Sequence, residues 1–178
     1  LDSAQADVKA WKLVTSSIGK KIYIRAYVGL LSDQQLPASN LKARIRVLVP
    51  QGCPITLNNK FGKARLEKIS AALQLTGEFC AFTLRDVQGS VTVKSNYGNV
   101  DGSRLAGPVD VQSKRSDISL SGLLSDCKVH SEYGSVSVEA GAKTGNLSVS
   151  ATKCDVSIET AALIPHNFQL RATYGDVR

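Results

Sequence analysis

The segment VTVKSNYGNVDGSRLAGP, residues 91–108, decides the fold because its pattern recurs along the chain. Two valines open it, the pair Tyr97-Gly98 follows the second of them by four residues, and another valine lies two residues further on. The first apolar position of the seven copies, in steps of 18 and finally of 20 and 21 residues, is Ile55, Leu73, Val91, Val109, Cys127, Leu147 and Phe168. Self-similarity at a fixed period indicates a repeat architecture.

Each copy alternates apolar and polar residues on both sides of its central pair, which is typical of two short strands that each bury one face. We expect the small residue of the pair to make the bend, because glycine adopts positive φ without strain. The recurring columns predict an all-β, single-chain parallel β-solenoid of about seven coils of 18–21 residues, with two short strands per coil. An antiparallel meander of hairpins is the rival fold, but it does not require identical columns. One inward column, predicted to be buried and stacked, is Val93, Val111, Val129 and Val149.

Residues 1–54 do not follow the repeat, and we predict that they form an N-terminal β-strand cap. Alternating apolar residues predict strands over 22–28 and 41–49. The end of a solenoid exposes a strand edge that needs a cover. The predicted organisation is therefore N-terminal strands and cap over 1–54 and solenoid repeats over 55–178, in one structural domain overall.

Charge is uneven along the chain, which carries a net charge of +7. Lys and Arg outnumber Asp and Glu by 12 to 4 in residues 1–70, but number 10 against 11 in residues 71–178. A basic half can attract an anionic partner, although strands also place Lys and Arg on solvated faces, the interpretation that we favour. We expect no nucleic-acid partner, because no aromatic residue interleaves with the basic run 42–46.

Neither a membrane span nor a starting methionine is present in the sequence. No apolar run has the 18 or more residues that a membrane-spanning helix needs, so we expect membrane contact only through an anchor outside this chain. The absence of Met leaves two explanations open, a removed signal or a shortened chain.

The residue before each small bend residue belongs to one column, which we call the ridge. The ridge consists of Phe61, Phe79, Tyr97, Arg115, Tyr133, Lys153 and Tyr174. Aromatic and cationic side chains stacked at strand spacing can support one another as a structural ladder, or they can present a ligand-binding surface. We favour the ladder and retain the ridge as the possible ligand site.

The other polar residues predict no catalytic, cofactor-binding or metal site, and no cofactor is expected. His130 lies in an outward column and His166 in an insertion, and neither has a partner at metal-ligand spacing. Asp117, Asp155 and Asp176 share a column just after the bend, where we expect turn hydrogen bonding rather than a cation site. No nucleophile and base, or pair of acids, converge on one face.

The four cysteines are predicted to be free thiols. They are Cys53, Cys80, Cys127 and Cys154. Their positions in the columns keep every pair further apart than the roughly 7 Å between Cα atoms that a disulfide tolerates.

The stretches LNNKFGKARL (57–66), SNYGNV (95–100) and SEYGSV (131–136) resemble the bacterial adhesin-like β-strand-repeat family, a toast-rack-like domain of unknown function. The similarity runs from about residue 22 to residue 177. The resemblance implies an extracytoplasmic location, in the periplasm or at the cell surface, with a lipid anchor in some members. It brings no catalytic residues. This chain departs from the pattern where alternate coils replace the bend glycine by Cys80, Ser116 and Cys154.

Together, these observations predict a non-enzymatic extracytoplasmic β-solenoid that serves as a cell-surface adhesin or as a binding or scaffold domain. The expected partner is a glycan or another surface protein. The alternative is a self-assembling structural scaffold whose copies associate end to end. A carbohydrate-active enzyme is the least favoured interpretation.

Overall fold

The computed structural model describes Val8 and residues 10–19, 21–29, 42–160 and 167–178. By its internal contacts the chain divides into two compact units, Leu1–Leu48 and Val49–Arg178.

The first unit contains an antiparallel hairpin of β1 (Trp11–Ile18) and β2 (Lys21–Val28). The strand predicted over 22–28 is therefore present as β2. The strand predicted over 41–49 is wrong for its described part, since residues 42–50 contain no strand. Alternation marks a face that can be buried, but a strand also needs a neighbour for its backbone hydrogen bonds, and the described part of this segment has no strand partner. The capping role stays a prediction.

The second unit is a parallel β-solenoid of about six turns with a spacing of about 18 residues. We number its coils 1 to 7 from the first apolar residue of each copy. Its strands are β3 (Ile55–Ile69), β4 (Leu73–Val87), β5 (Val91–Asn96), β6 (Val100–Leu105), β7 (Val109–Lys114), β8 (Ile118–Leu123), β9 (Cys127–Ala140), β10 (Asn146–Thr160) and β11 (Asn167–Thr173). Within a coil, the first arm lies before the ridge residue, as β5 does, and the second arm lies after it, as β6 does.

The register of the strands confirms the predicted columns. Val93 pairs with Val111, which pairs with Val129, which pairs with Val149. These four side chains are at most 2% exposed. Every strand pairing in the described part of the second unit is parallel, which eliminates the hairpin meander.

The first bend of each coil differs from its prediction, because the ridge residue adopts positive φ in every coil, whereas the small residue does so only at Gly62 and Gly134. All seven ridge residues have a positive φ, between 51° at Arg115 and 65° at Phe61. Residues with a Cβ disfavour this region by roughly 1–2 kcal/mol. The positive φ expected at the bend glycine is absent from Gly98 and Gly175, because the small column is set by a different requirement.

The small residue after the ridge is small because two coils approach closely at this point. A Cβ added to Gly98 would lie 2.1 Å from the carbonyl oxygen of Cys80, and one added to Gly134 would lie 2.3 Å from that of Ser116. Gly175 stands in the same relation to Cys154, at 2.0 Å. Each coil with Cys or Ser in this column is therefore followed by a coil with glycine, which accounts for the alternation seen in the sequence.

The chain turns back near the end of the second arm, where a second bend was expected near residues 105–107, and a second column of positive φ lies just before that point. This column is Lys68, Asp86, Arg104 and Gly122, with φ between 54° and 61°. These four residues share no chemical property that would mark a bend, so only their 18-residue spacing could have revealed it.

The interior next to the ridge is polar and was likewise not predicted. Ser95, Ser113 and Ser131 form a buried column in the first arm, and Ser113 Oγ donates a hydrogen bond to Ser131 Oγ at 2.9 Å. Ser116 Oγ donates to Ser95 Oγ at 3.4 Å. The hydroxyls satisfy one another, which removes most of the cost of burying them.

Candidate functional site: the aromatic and cationic ridge

The first bend carries all seven ridge side chains to the outside of the solenoid in one column. Every member is exposed. Among the aromatic members the exposed fraction runs from 38% for Tyr133 to 82% for Tyr174. Because parallel coils repeat at about 4.8 Å, consecutive members lie at stacking distance.

The first half of the ridge is a stack of three rings. The centroids of Phe61 and Phe79 are 5.4 Å apart with planes 6° from parallel. Those of Phe79 and Tyr97 are 4.9 Å apart with planes at 12°. The coil spacing thus imposes an aromatic stack.

The second half of the ridge alternates cations with rings. The Arg115 guanidinium carbon lies 5.1 Å from the ring centroid of Tyr97 and 5.5 Å from that of Tyr133, and Arg115 Nη1 donates a hydrogen bond to the Tyr97 hydroxyl. Lys153 Nζ lies 5.1 Å from the Tyr133 centroid and donates to its hydroxyl at 3.4 Å. The ladder arrangement that the sequence suggested is present from Phe61 to Lys153.

The stacking decides which groups of the ridge remain open to a ligand. The faces of Phe79, Tyr97 and Tyr133 contact ring or cation neighbours, so a ligand meets ring edges, hydroxyls and N–H groups. A guanidinium carries five N–H donors and an ammonium three. Arg115 and Lys153 therefore keep donors beyond those that bind the tyrosines.

The ridge column contains no carboxylate, and the acids beside it are already paired. In the neighbouring first-arm column, Lys60 pairs with Glu78 at 3.3 Å and Lys114 pairs with Glu132 at 3.2 Å. No ion pair within the described residues neutralises Arg115 or Lys153. These pairs were not predicted, although Lys and Glu stand in consecutive coils one residue before the ridge.

The aspartates after the bend hold neighbouring coils together. Asp117 Oδ1 accepts hydrogen bonds from the Ser135 backbone N–H at 3.0 Å and from its hydroxyl at 2.7 Å. Asp155 Oδ1 accepts one from the Asp176 N–H at 3.5 Å. The described part of the chain holds no group of three or more His, Cys, Asp or Glu side chains that could bind a metal ion.

The two histidines are not brought together with any candidate catalytic group that the structure describes. His130 is exposed on the outer side of the first arm, in the column of Gln112 and Ser150. His166 lies outside the described residues.

All four cysteines are free, and three of them are buried. Cys53 is exposed, whereas Cys80, Cys127 and Cys154 are buried in the solenoid. Burial, with a smaller effect from the carboxylate of Asp110, raises the pKa of Cys127 to about 12. Its thiol therefore stays protonated at neutral pH.

One ion pair connects the second bends of adjacent coils. Arg104 binds Asp86 through two nitrogens, one of them Nη2 at 2.8 Å from Oδ2. This hydrogen bonding lowers the pKa of Asp86 and raises the pKa of Arg104. Both side chains are accessible to solvent, so the pair adds little to stability.

A comparison with known proteins identifies the family to which the chain belongs. Residues 40–178, more than half of the chain, match the family model described as Toastrack DUF4097. No curated protein and no solved structure matches the chain significantly. Among the described residues, no helix is long and apolar enough to cross a membrane. The chain belongs to the Toastrack DUF4097 family, a β-solenoid domain of unknown function that is not a known enzyme family.

Proposed function

We propose that this solenoid is a non-enzymatic binding domain, a cell-surface adhesin in the broad sense, whose ridge holds an extended acidic glycan. The observation that carries the proposal is the exposed column of ring edges, hydroxyls and cations that runs along the coils without a carboxylate. A long row of donors on a rigid support matches a long ligand rich in acceptors.

The spacing of the two ridge cations narrows the ligand class. Arg115 and Lys153 stand on coils 4 and 6, so about 9.6 Å separates them along the solenoid. The hydroxyl of Tyr133 lies between them, where a sugar hydroxyl can meet it. This arrangement suits a polysaccharide that carries a carboxylate on every second sugar.

The mode of recognition follows from the stacked rings. Sugars bind many lectins by stacking on an aromatic face, but the central ring faces of this ridge are occupied by their neighbours. Charge-assisted hydrogen bonds therefore supply the affinity. Binding should weaken as salt rises, because the cations are exposed and screened.

Calorimetry with hyaluronan, an alternating acidic polysaccharide, tests this function. The double variant Arg115→Ala with Lys153→Ala should raise the Kd about tenfold or more, since a hydrogen bond to a charged group contributes roughly 1.5 kcal/mol or more. The matched control, Lys94→Ala with Lys128→Ala, removes the same charge from the outer side of the first arm and should leave the Kd nearly unchanged. Neutral dextran should not bind.

Two results would overturn the glycan proposal. The first is wild-type protein that binds neither hyaluronan nor another alternating acidic polysaccharide at low salt. The second is an equal loss of affinity in the ridge variant and in the control variant, which would show that binding depends only on the net charge of the protein.

We also propose that the protein acts outside the cytoplasm, in the periplasm or at the cell surface. The resemblance to adhesin-like repeats supports this location, and the burial of three of the four thiols fits a chain that meets oxidants. Fractionation of cells that express the full-length gene, with protease treatment of intact cells, tests it. Recovery only in the cytosolic fraction would contradict the proposal.

A self-assembling scaffold is the second candidate function. Leu170 and Val177 occupy inward columns of coil 7, yet they are 44% and 47% exposed. Copies that stack end to end would cover them, and the species would grow with concentration. Light scattering over a concentration series distinguishes this growth from a closed complex, and Leu170→Lys should stop it.

A further inference from the structure

The outer face of the second arm carries charge that changes sign along the solenoid. Coils 1 to 3 place five cations there, Lys63, Arg65, Lys68, Arg85 and Arg104, and three carboxylates, Glu67, Asp86 and Asp101. Coils 4 to 7 place five carboxylates there, Asp117, Glu139, Asp155, Glu159 and Asp176, and one cation, Arg178. One end of this face is therefore basic and the other acidic.

Pairing within the basic half leaves several of its cations available. Arg65 binds Glu67 at 2.5 Å and Arg104 binds Asp86, which neutralises two of the three carboxylates there. Lys63 and Arg85 are exposed and form no ion pair within the described residues. They face outward with their charge uncompensated.

The middle of the same face is lined by small hydroxyl side chains. They are Thr83, Ser103, Ser119, Ser121, Ser137 and Ser157, all at least partly exposed. Strands in regular register with short side chains make a surface that another sheet can approach closely.

The outer face of the first arm has no such polarity. Charges of both signs are interspersed along it, and two pairs of neighbours already bind each other, Lys60 with Glu78 and Lys114 with Glu132. The separation of charge thus belongs to one face of the solenoid and is not a general property of its surface.

We propose that the outer face of the second arm is an interface between two copies of this chain, packed face to face with their solenoid axes antiparallel. This orientation lays the basic half of each copy on the acidic half of the other, so that the favourable contact occurs twice. A parallel arrangement would set like charges against each other. The antiparallel pair has twofold symmetry, which closes the assembly at a dimer.

The size of the face sets the strength of the dimer. Six intervals of about 4.8 Å between the seven coils and six residues at about 3.3 Å give a face of about 29 Å by 20 Å. The two copies would bury about 1,200 Å² together, the lower limit for a specific interface. The complex is therefore weak, depends on charge, and dissociates at high salt.

Two charge-reversal variants test the interface and its dependence on opposite charges. In the acidic variant, Lys63→Glu and Arg85→Glu make both halves of the face negative. In the basic variant, Glu139→Lys and Glu159→Lys make both halves positive. The control variant, Lys94→Glu with Lys128→Glu, makes the same charge change as the acidic variant on the outer face of the first arm.

Sedimentation of the full chain at low ionic strength should show a monomer–dimer equilibrium for the wild type and for the control variant. Each face variant alone should be monomeric, with an unchanged circular dichroism spectrum. An equimolar mixture of the two should sediment as a dimer again, because all of its contacts are between opposite charges. High ionic strength should dissociate every dimer.

Any of three results overturns the proposal. A wild type that stays monomeric at low ionic strength and high protein concentration shows that the interface does not form. A mixture of the two variants that remains monomeric shows that opposite charges on this face do not drive association. Species that grow beyond a dimer indicate end-to-end stacking instead. The glycan assay on a monomeric face variant is independent of these outcomes, so the two proposals fail separately.

Discussion

Each ridge residue holds a backbone conformation that its side chain disfavours. The left-handed conformation costs a residue such as Tyr97 roughly 1–2 kcal/mol, and seven such residues follow one another along the solenoid. Their side chains offset this cost, since aromatic and cation–π pairs contribute about 0.5–1.5 kcal/mol each. Backbone strain and side-chain stacking therefore coincide at the six ridge positions from Phe61 to Lys153.

This balance predicts an unusual order of stability for variants at Tyr97. Tyr97→Ala loses two stacking partners and keeps the strain, so it should lower the free energy of unfolding by about 1 kcal/mol or more. Tyr97→Gly loses the same partners but relieves the strain, and it should be about 1 kcal/mol more stable than Tyr97→Ala. Urea unfolding measures both.

At ordinary strand positions the order is the opposite, because glycine costs roughly 0.5–1 kcal/mol relative to alanine. Variants at Lys94, an exposed position of β5, provide this control. If alanine proved more stable than glycine at Tyr97 as well, the ridge would not store strain.

The cysteines give a second prediction at the scale of single residues. Native protein should present one thiol to an aromatic disulfide reagent at pH 8, that of Cys53, because the other three thiols are buried. At Cys127 the raised pKa also keeps the thiol protonated, and the thiolate is the reactive form. Denatured, unreduced protein should show four thiols.

Cys53→Ser is the control for this titration and should reduce the native count to zero. A denatured count of two or none would reveal a disulfide and would contradict the column register.

At the scale of the coil, the contact between adjacent bends restricts which coils can be neighbours. A coil with Cys or Ser after its ridge residue is followed by one with glycine, since a Cβ there would lie about 2 Å from a carbonyl oxygen. The strand pattern therefore repeats every 18 residues, whereas the alternation of glycine with Cys or Ser after the ridge residue repeats every 36. Single coils are consequently not interchangeable.

Two deletions of equal length test this restriction. Removal of residues 73–90 brings Gly62 next to Gly98, which leaves the close contact free of side chains. Removal of residues 91–108 brings Cys80 next to Ser116 and places a Cβ where Gly98 stood. Both deletions preserve the apolar columns, so both chains should form strands.

We expect the second deletion to be less stable than the first by about 2 kcal/mol or more, because backbone must move to relieve the overlap. Thermal unfolding followed by circular dichroism measures the difference. Ser116→Gly should rescue the second deletion, and equal stability of the two deletions would show that the alternation is not a steric requirement.

At the scale of the whole molecule, the linear order of the coils gives the solenoid its polarity. Each coil contacts only its neighbours, as in other solenoids, so a change in composition along the sequence becomes a gradient along the axis. The same linearity sets Arg115 and Lys153 at a defined separation on the ridge. Both proposals, an extended glycan on one edge and an antiparallel partner on one face, depend on this one-dimensional construction.

The sequence by itself determined the period, the strand register and the buried columns. A slip of one residue would turn every apolar side chain outward, so the positions of Val93 and its equivalents leave one register. The ridge could be predicted for the same reason, because its members recur at the period of the columns. Membership of the Toastrack DUF4097 family supports the fold but identifies no binding or catalytic residues.

Tertiary structure decided where the backbone bends and which groups neutralise one another. The positive φ falls on Tyr97 rather than on Gly98, because the glycine is needed where one coil approaches the carbonyl oxygen of the next. The buried column of Ser113 is polar because hydroxyls on adjacent coils bind each other. The strand predicted over 41–49 is absent from its described part, residues 42–49, which pair with no described strand. In each case the deciding contact joins residues of different coils or strands. The residue pattern along one strand carries no information about the distance between two strands.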